Sequence, residues 1–106
     1  MTDLEKEEII DKAVQALRLC YDPEIPVNIY DLGLIYEINV ASADAVEIVM
    51  TLTSPMCPVA GILPGQVEKA VRKMTKAGEV QVQLVWDPPW TPERMNEEAR
   101  LELGWL

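Results

Sequence analysis

The sequence predicts an α/β (α+β) fold of order α-β-β-α-β-α, a mixed three-stranded sheet with helices packed on one face. Three observations lead there. Apolar residues recur at helical spacing in two stretches, Ile10, Ala13, Val14 and Leu17 early on and Val67, Ala70, Val71 and Met74 later. Two β-rich runs, Ile35–Val40 and Ala45–Thr53, are separated only by Ala41-Ser42-Ala43-Asp44, too short a connection for anything but an antiparallel hairpin. A third run, with Val80, Val82, Leu84 and Trp86 alternating with polar residues, comes after the second helical stretch. That order makes it a parallel partner reached by a right-handed crossover.

The first helix is expected from Asp3 to Leu19, opened by Thr2 and Glu5 as a capping box. Tyr21-Asp22-Pro23-Glu24-Ile25-Pro26 stops it, because a residue preceding proline is pushed out of the helical region. Asn28, Asp31 and Gly33 then mark a compact loop before the hairpin. Ser54-Pro55-Met56-Cys57-Pro58 ends the second strand, and Pro64 suits the first turn of the second helix. Gly78 is expected to close that helix as a left-handed cap. After Asp87-Pro88-Pro89-Trp90, Thr91 and Pro92 read as N-cap and first residue of a short C-terminal helix. Without a repeat or a linker, residues 1–106 read as one domain.

Composition narrows the function. The net charge is −9 and no block of basic residues exists, which argues against nucleic acid and against adsorption to an anionic membrane surface. No apolar run approaches the roughly 20 residues that cross a bilayer, and the acidic start lacks the order of a signal peptide. The expected location is therefore the cytoplasm. The chain has no histidine, which removes Ser-His-Asp and Cys-His catalysis and the histidine-containing zinc sites. Its two cysteines, Cys20 and Cys57, make no disulfide framework, and a reducing compartment keeps them as thiols.

The two cysteines sit in different settings. Cys20 extends the apolar stripe of the first helix and is expected in the core. Cys57 lies between two prolines in the connection from a strand into a helix, where outward-pointing N–H groups would favour a thiolate, the nucleophilic and metal-binding form. A small buried hydrophobe is the other reading of the same position. Asp31, just before Leu32-Gly33, fits a turn cap that accepts a backbone N–H bond, or a group acting beside the thiolate. A second anion nearby would raise the thiol pKa, so in the latter role it would bind iron or a partner. Thr51 and Thr53 fall on one side of the second strand and could donate hydrogen bonds near Cys57. Glu24 reads as a solvated turn residue, and Trp86, Trp90 and Trp105 as packing anchors more than as a binding cage.

Four stretches carry a resemblance: Asp22 to Val27, Tyr30 to Tyr36, Met50 to Gly61, and Trp86 to Pro92. Together, and in this order, they resemble the SufT-type metal–sulfur cluster biosynthesis proteins. That family is related to the PaaD component of phenylacetate degradation and to a eukaryotic cytosolic iron–sulfur assembly factor. The resemblance implies a fold like the iron–sulfur assembly domains and the α-lytic protease prodomain. It also implies a part in maturing iron–sulfur proteins, with the family's cysteine at Cys57 and its acidic residue at Asp31. PaaD-type members continue into a cysteine-rich tail, whereas this sequence reads Gly104-Trp105-Leu106, which favours the SufT-like branch.

A cluster usually takes about four thiolate ligands, and one exposed cysteine supplies one. The expectation is therefore an accessory factor without a stably bound cofactor, handling a transient cluster or iron through Cys57. Its partners would be the assembly machinery and client apo-proteins, with a homodimer as one way to add a second thiol. The alternatives are a PaaD-like interaction subunit of an aromatic-degradation oxygenase pathway, and a thiol-based redox or sulfur-transfer protein. The last lacks a second cysteine at Cys-x-x-Cys spacing.

Overall fold

Residues 2–22, 25–53 and 62–104 are described by the structure, a computed structural model. The first helix, α1, spans Asp3–Leu17, and the Thr2 hydroxyl accepts a 3.1 Å hydrogen bond from the Glu5 N–H, as the capping signal predicts. It ends two residues earlier than its periodicity suggests. The Leu19 and Cys20 N–H groups bond back to Ala16 and Leu17 in tighter turns, and the Cys20 carbonyl is already taken by the Ile29 N–H at 2.9 Å.

The hairpin pairs β1, Ile35–Ser42, with β2, Ala45–Met50, in antiparallel register, with Ile38 opposite Ile48 and Val40 opposite Val46. The turn is only Ala43-Asp44, so β1 runs two residues beyond its predicted end. β2 stops three residues short of its predicted end, and the neighbours explain why. Met50 stands opposite the first residue of β1, and it also pairs with Leu84, the last residue of the third strand. Beyond Met50 no strand is left to pair with, and the Thr51 N–H turns to the Leu34 carbonyl at 2.8 Å.

Helix α2, Leu63–Thr75, connects β2 to β3, Glu79–Leu84, which lies parallel to β2. The sheet order is β1-β2-β3, so the hairpin and the crossover share the middle strand. α1 packs on α2 and β1 while α2 packs on β3, so both long helices cover one face. Between them lies a core in which Leu17, Ile48, Met50, Val67 and Val71 have no exposed surface. Among the described residues, no helix is long and apolar enough to cross a membrane.

Two cap predictions are corrected. Lys76, not Gly78, adopts the left-handed conformation at the end of α2 (φ 62°), and its N–H bonds to the Arg72 carbonyl. Gly78 instead approaches the hairpin turn: its N–H donates to Asp44 Oδ1 at 2.7 Å, and a Cβ there would lie 2.8 Å from that oxygen, so a larger residue would make the exposed Asp44 side chain shift. At the C-terminal end, Thr91 makes no capping bond and opens only a 3₁₀ turn, Pro92–Arg94. The helix proper, α3, spans Glu97–Glu102 and is capped by Asn96, whose Oδ1 accepts from the Ala99 N–H at 2.9 Å. Met95 explains the delay, because it is buried with an extended backbone that interrupts the helix. α3 does not lie on the sheet. Through Met95 and Ala99 it joins the same core from the side of the 27–34 loop.

Gly33 and Gly65 test this account of the backbone. Gly33 has φ +82°, and a Cβ there would overlap the Arg94 carbonyl, whereas a Cβ at Gly65 in α2 meets nothing within 4 Å. Gly33→Ala is expected to cost about 2–4 kcal/mol of stability. Gly65→Ala should add about 0.5–1 kcal/mol. Urea unfolding of the two variants checks both signs.

Candidate functional site

All three strands present the same end to one cluster of loops: β1 starts there, and β2 and β3 finish there. The 18–34 loop, residues 51–53, the start of α2 and residues 85–96 meet at this end. In sheets with parallel strands, the crevice at the strands' carboxyl ends is where ligands usually bind. Of the residues singled out by sequence, Asp31, Thr51 and Thr53 belong to this end. Cys57, Glu24 and Trp105 lie outside the described residues.

Asp31 is held in a buried hydrogen-bonded knot. Its Oδ2 accepts from the Asn28 side-chain amide at 2.9 Å and its Oδ1 from the Asn96 side-chain amide at 2.8 Å. The Arg18 Nε stands 3.7 Å from Oδ1, and its guanidinium lies 5.1 Å from the centre of the Tyr30 ring. The main chain joins in, since the Asp31 N–H donates to Asn28 Oδ1 and the Asp31 carbonyl accepts from the Asn96 N–H. The capping role foreseen for Asp31 therefore belongs to Asn28, which accepts the backbone N–H that closes the turn. Both carboxylate oxygens of Asp31 are engaged with side chains. Asn96 could not be found from local spacing, because it comes from 65 residues further along the chain.

Thr51 is fully buried, and its hydroxyl oxygen is the one buried side-chain polar atom without a hydrogen-bond partner among the described residues. It lines a cavity of about 180 Å³ together with Thr53, Trp86 and Trp90. Trp90 is an anchor, as expected: its indole N–H donates to the Leu32 carbonyl at 2.7 Å. Trp86 is not, being 42% exposed. A wider cleft of about 580 Å³ lies on the opposite, uncovered side of the sheet, lined by Tyr36, Glu37, Val49, Asp87 and Arg94 among others. There the Tyr36 hydroxyl donates to the Pro88 carbonyl at 2.6 Å, and the Arg94 guanidinium stacks 4.7 Å from the Tyr36 ring centre. Nothing in the local sequence marks that stack.

Cys20 is in the core, as predicted. It is 7% exposed, its thiol donates to the Ala16 carbonyl at 3.6 Å, and burial pushes its pKa above the ordinary thiol value of 9.0. At neutral pH it is neither an accessible nucleophile nor a ligand. Among the described residues, no group of three or more His, Cys, Asp or Glu side chains is placed to hold a metal ion.

The chain's relatives resemble it over most of its length. The model of the iron–sulfur cluster assembly protein family matches residues 10–84. An Fe-S protein maturation auxiliary factor of Porphyromonas gingivalis is 46% identical over 103 residues, covering 97% of this chain and 95% of that protein. The Fe-S protein maturation auxiliary factor SufT of Staphylococcus aureus is 36% identical over 83 residues, covering 78% of this chain and 94% of that protein. The crystal structure of a domain of unknown function from Bacillus anthracis matches the fold with a TM-score of 0.86 at 36% identity, over 92% of this chain and 93% of that one.

Two measurements probe this end of the molecule. Asp31→Ala and Asn96→Ala should each cost about 1–3 kcal/mol, since each strands buried polar partners. The double variant should fall short of their sum by at least about 0.5 kcal/mol, and a double-mutant cycle in urea reads this coupling. Cys20 gives a pH signature. Because its folded pKa is raised, its stabilising contribution is complete below 9.0, the unfolded value, and is lost as pH climbs through the folded value. Cys20→Ala should therefore flatten part of the fall in the urea midpoint as pH rises above 9.0.

Proposed function

The chain belongs to the iron–sulfur cluster assembly protein family, and on that premise we propose that it is an auxiliary factor that helps deliver clusters to client apo-proteins through Cys57. The likeness to maturation factors over nearly the whole chain supports the role. The state of Cys20 supports the residue. The sequence has two cysteines, and one of them is buried with a raised pKa, so any thiolate chemistry falls to Cys57.

The cargo is a substrate of this factor, not a resident group. One thiolate per chain completes only part of a coordination sphere that usually needs about four. Remaining ligands would come from a second copy, the assembly machinery, the client or a small thiol. Handover is then ligand exchange: a client thiolate takes the metal position that Cys57 vacates, with no change of oxidation state. This is the work of an assembly and carrier factor, not of a catalyst, and it suits the cytoplasm, where both thiols stay reduced. In this proposal Thr51 and Thr53 support the thiol from just ahead of it in sequence, and Glu24, whose carboxylate would disfavour a thiolate, would support the exchange only by contact with a partner. Asp31 holds the surrounding loops in place, each of its oxygens accepting a side-chain amide hydrogen bond, and remains the second candidate ligand beside Cys57.

Client activity in cells decides the matter. Cys57→Ala should abolish maturation of iron–sulfur clients, while Cys20→Ala should spare it. Full client activity with Cys57→Ala would overturn the thiolate mechanism. Cys57→Ser should change stability by no more than about 1 kcal/mol, which separates loss of chemistry from loss of fold. Anaerobic purification with iron and sulfide analysis should find any bound cluster labile and dependent on Cys57.

A further inference from the structure

We propose that the loop end of the sheet is a self-association surface, on which a second copy of this chain docks end to end. The surface follows from exposed side chains and charge, while the identity of its occupant rests on the role proposed above for Cys57.

Six large apolar side chains are exposed among the described residues, and five of them lie at this one end. Leu19 and Tyr21 are in the 18–34 loop, which reaches the end of β2 through Cys20 to Ile29 and Leu34 to Thr51. Ile62 caps the start of α2. That helix finishes beside the hairpin turn, where Gly78 meets Asp44, so its start lies at the opposite end. Trp86 comes two residues after β3, and Leu101 is in α3, which Asn96 ties to Asp31. The sixth, Leu4, is in the first turn of α1 at the hairpin end. A single exposed apolar side chain is ordinary, but a collection of them at one end marks a protein contact.

Charge decides where a second copy can approach. Two chains that each carry −9 repel one another, and least where charged side chains are sparse. Residues 48–67 and 80–86 contain no charged side chain, and both stretches run to the loop end, from β2 into α2 and out of β3. The charged neighbours in sequence of the five apolar residues are of both signs: Arg18, Asp22, Asp87, Arg100 and Glu102. Leu4 stands between Asp3 and Glu5, with Glu7 and Glu8 close behind, so the hairpin end turns a second acidic copy away.

The site itself names the occupant. A two-fold pair uses the same patch on both copies, so an apolar end needs no other surface to complement it. The segment that holds Cys57 begins after Thr53 and ends before Ile62, both at this end. An end-to-end pair therefore brings a second Cys57 segment to the same interface. Two chains then offer two thiolates toward a coordination sphere of about four, where one chain offers one.

Sedimentation velocity of the full chain tests this from low micromolar to millimolar concentration, with reductant and chelator present. The parent should pass from monomer to dimer as its concentration rises. Leu19→Glu and Ile62→Glu should each weaken the dimer at least about tenfold, while Leu4→Glu leaves it unchanged. Leu19 and Ile62 are exposed, so a urea midpoint equal to the parent's shows that the contact and not the fold was lost. Cys57→Ser should dimerise as the parent does, because apolar contacts and not sulfur hold the pair. Its client activity then reads the thiolate mechanism separately. A monomer at every concentration, or a dimer indifferent to Leu19→Glu and Ile62→Glu, would overturn the proposal. So would a dimer weakened by Leu4→Glu or lost with Cys57→Ser.

Discussion

The Asp31 carboxylate, 7% exposed, takes hydrogen bonds from the amides of Asn28 and Asn96, and these two bonds tie the loop end of the molecule together. A carboxylate removed from water is tolerated only where donors replace its hydration. Here the replacements come from its own loop and from the chain's last third, with the Arg18 guanidinium nearby at the end of α1. The anion therefore draws in three pieces of chain that no strand or helix joins. Its consequences are positional. With Asn96 fixed on Asp31, residues 90–95 cross the 30–34 loop closely enough that Gly33 cannot carry a Cβ. The same crossing brings the Trp90 N–H onto the Leu32 carbonyl. The indole that walls the small cavity is thus set by a hydrogen-bond network beyond the cavity itself.

The two ends of the sheet are built on opposite terms. At the hairpin end the connections are short and closed: Ala43-Asp44 turns the chain, and the Asp44 carboxylate receives the Gly78 N–H, locking the turn to the entry of β3. Little chain is available there to shape a surface. At the other end the ladder runs out at Met50, and the segments that leave it are long. Backbone groups past the ladder must find partners one at a time, as Thr51 does with Leu34 and Val85 with Met50. That individually specified backbone is where a polar group can be left over, and the Thr51 hydroxyl is such a group among the described residues.

The same contrast governs what can be read from the sequence. The hairpin, the two long helices and the mixed sheet are legible because their signals are local: alternation in Val80-Gln81-Val82-Gln83-Leu84, helical spacing from Ile10 to Leu17, and a cap at Thr2. The ends of elements are not legible, because remote atoms decide them. β2 stops at Met50 because the Leu34 carbonyl captures Thr51, and α3 waits until Asn96 because that residue's N–H is held by Asp31. For the same reason Asp31 is readable as a turn residue while its partners are not. Asn28 is visible three residues away, and Asn96 only in three dimensions. The α2 cap fails by competition between two nearby residues: glycine is the usual left-handed residue, but Lys76 takes that conformation, and Gly78 serves Asp44.

If cargo passes through Cys57, as proposed above, a selectivity problem arises that metal chemistry cannot solve. A thiolate binds any soft metal centre offered by any protein, and the exchange that releases the cargo is as indifferent as the one that accepts it. Discrimination between donor and client must then reside in contacts that involve no sulfur, and those contacts must lie close enough to the thiol to align the two partners during exchange. In the sequence, the end of β2 leads directly into the segment that holds Cys57. Residues 54–61, which include Cys57, begin just after Thr53 and end just before α2. Thr51 and Thr53, immediately ahead of that segment, line the cavity shared with Trp86 and Trp90. The position of one wall of that cavity, Trp90, traces back to Asp31 through the crossing of the 90–96 segment over the 30–34 loop. Under that proposal recognition would fall to sulfur-free surface at this end of the sheet and transfer to Cys57, separate in chemistry while adjacent in sequence.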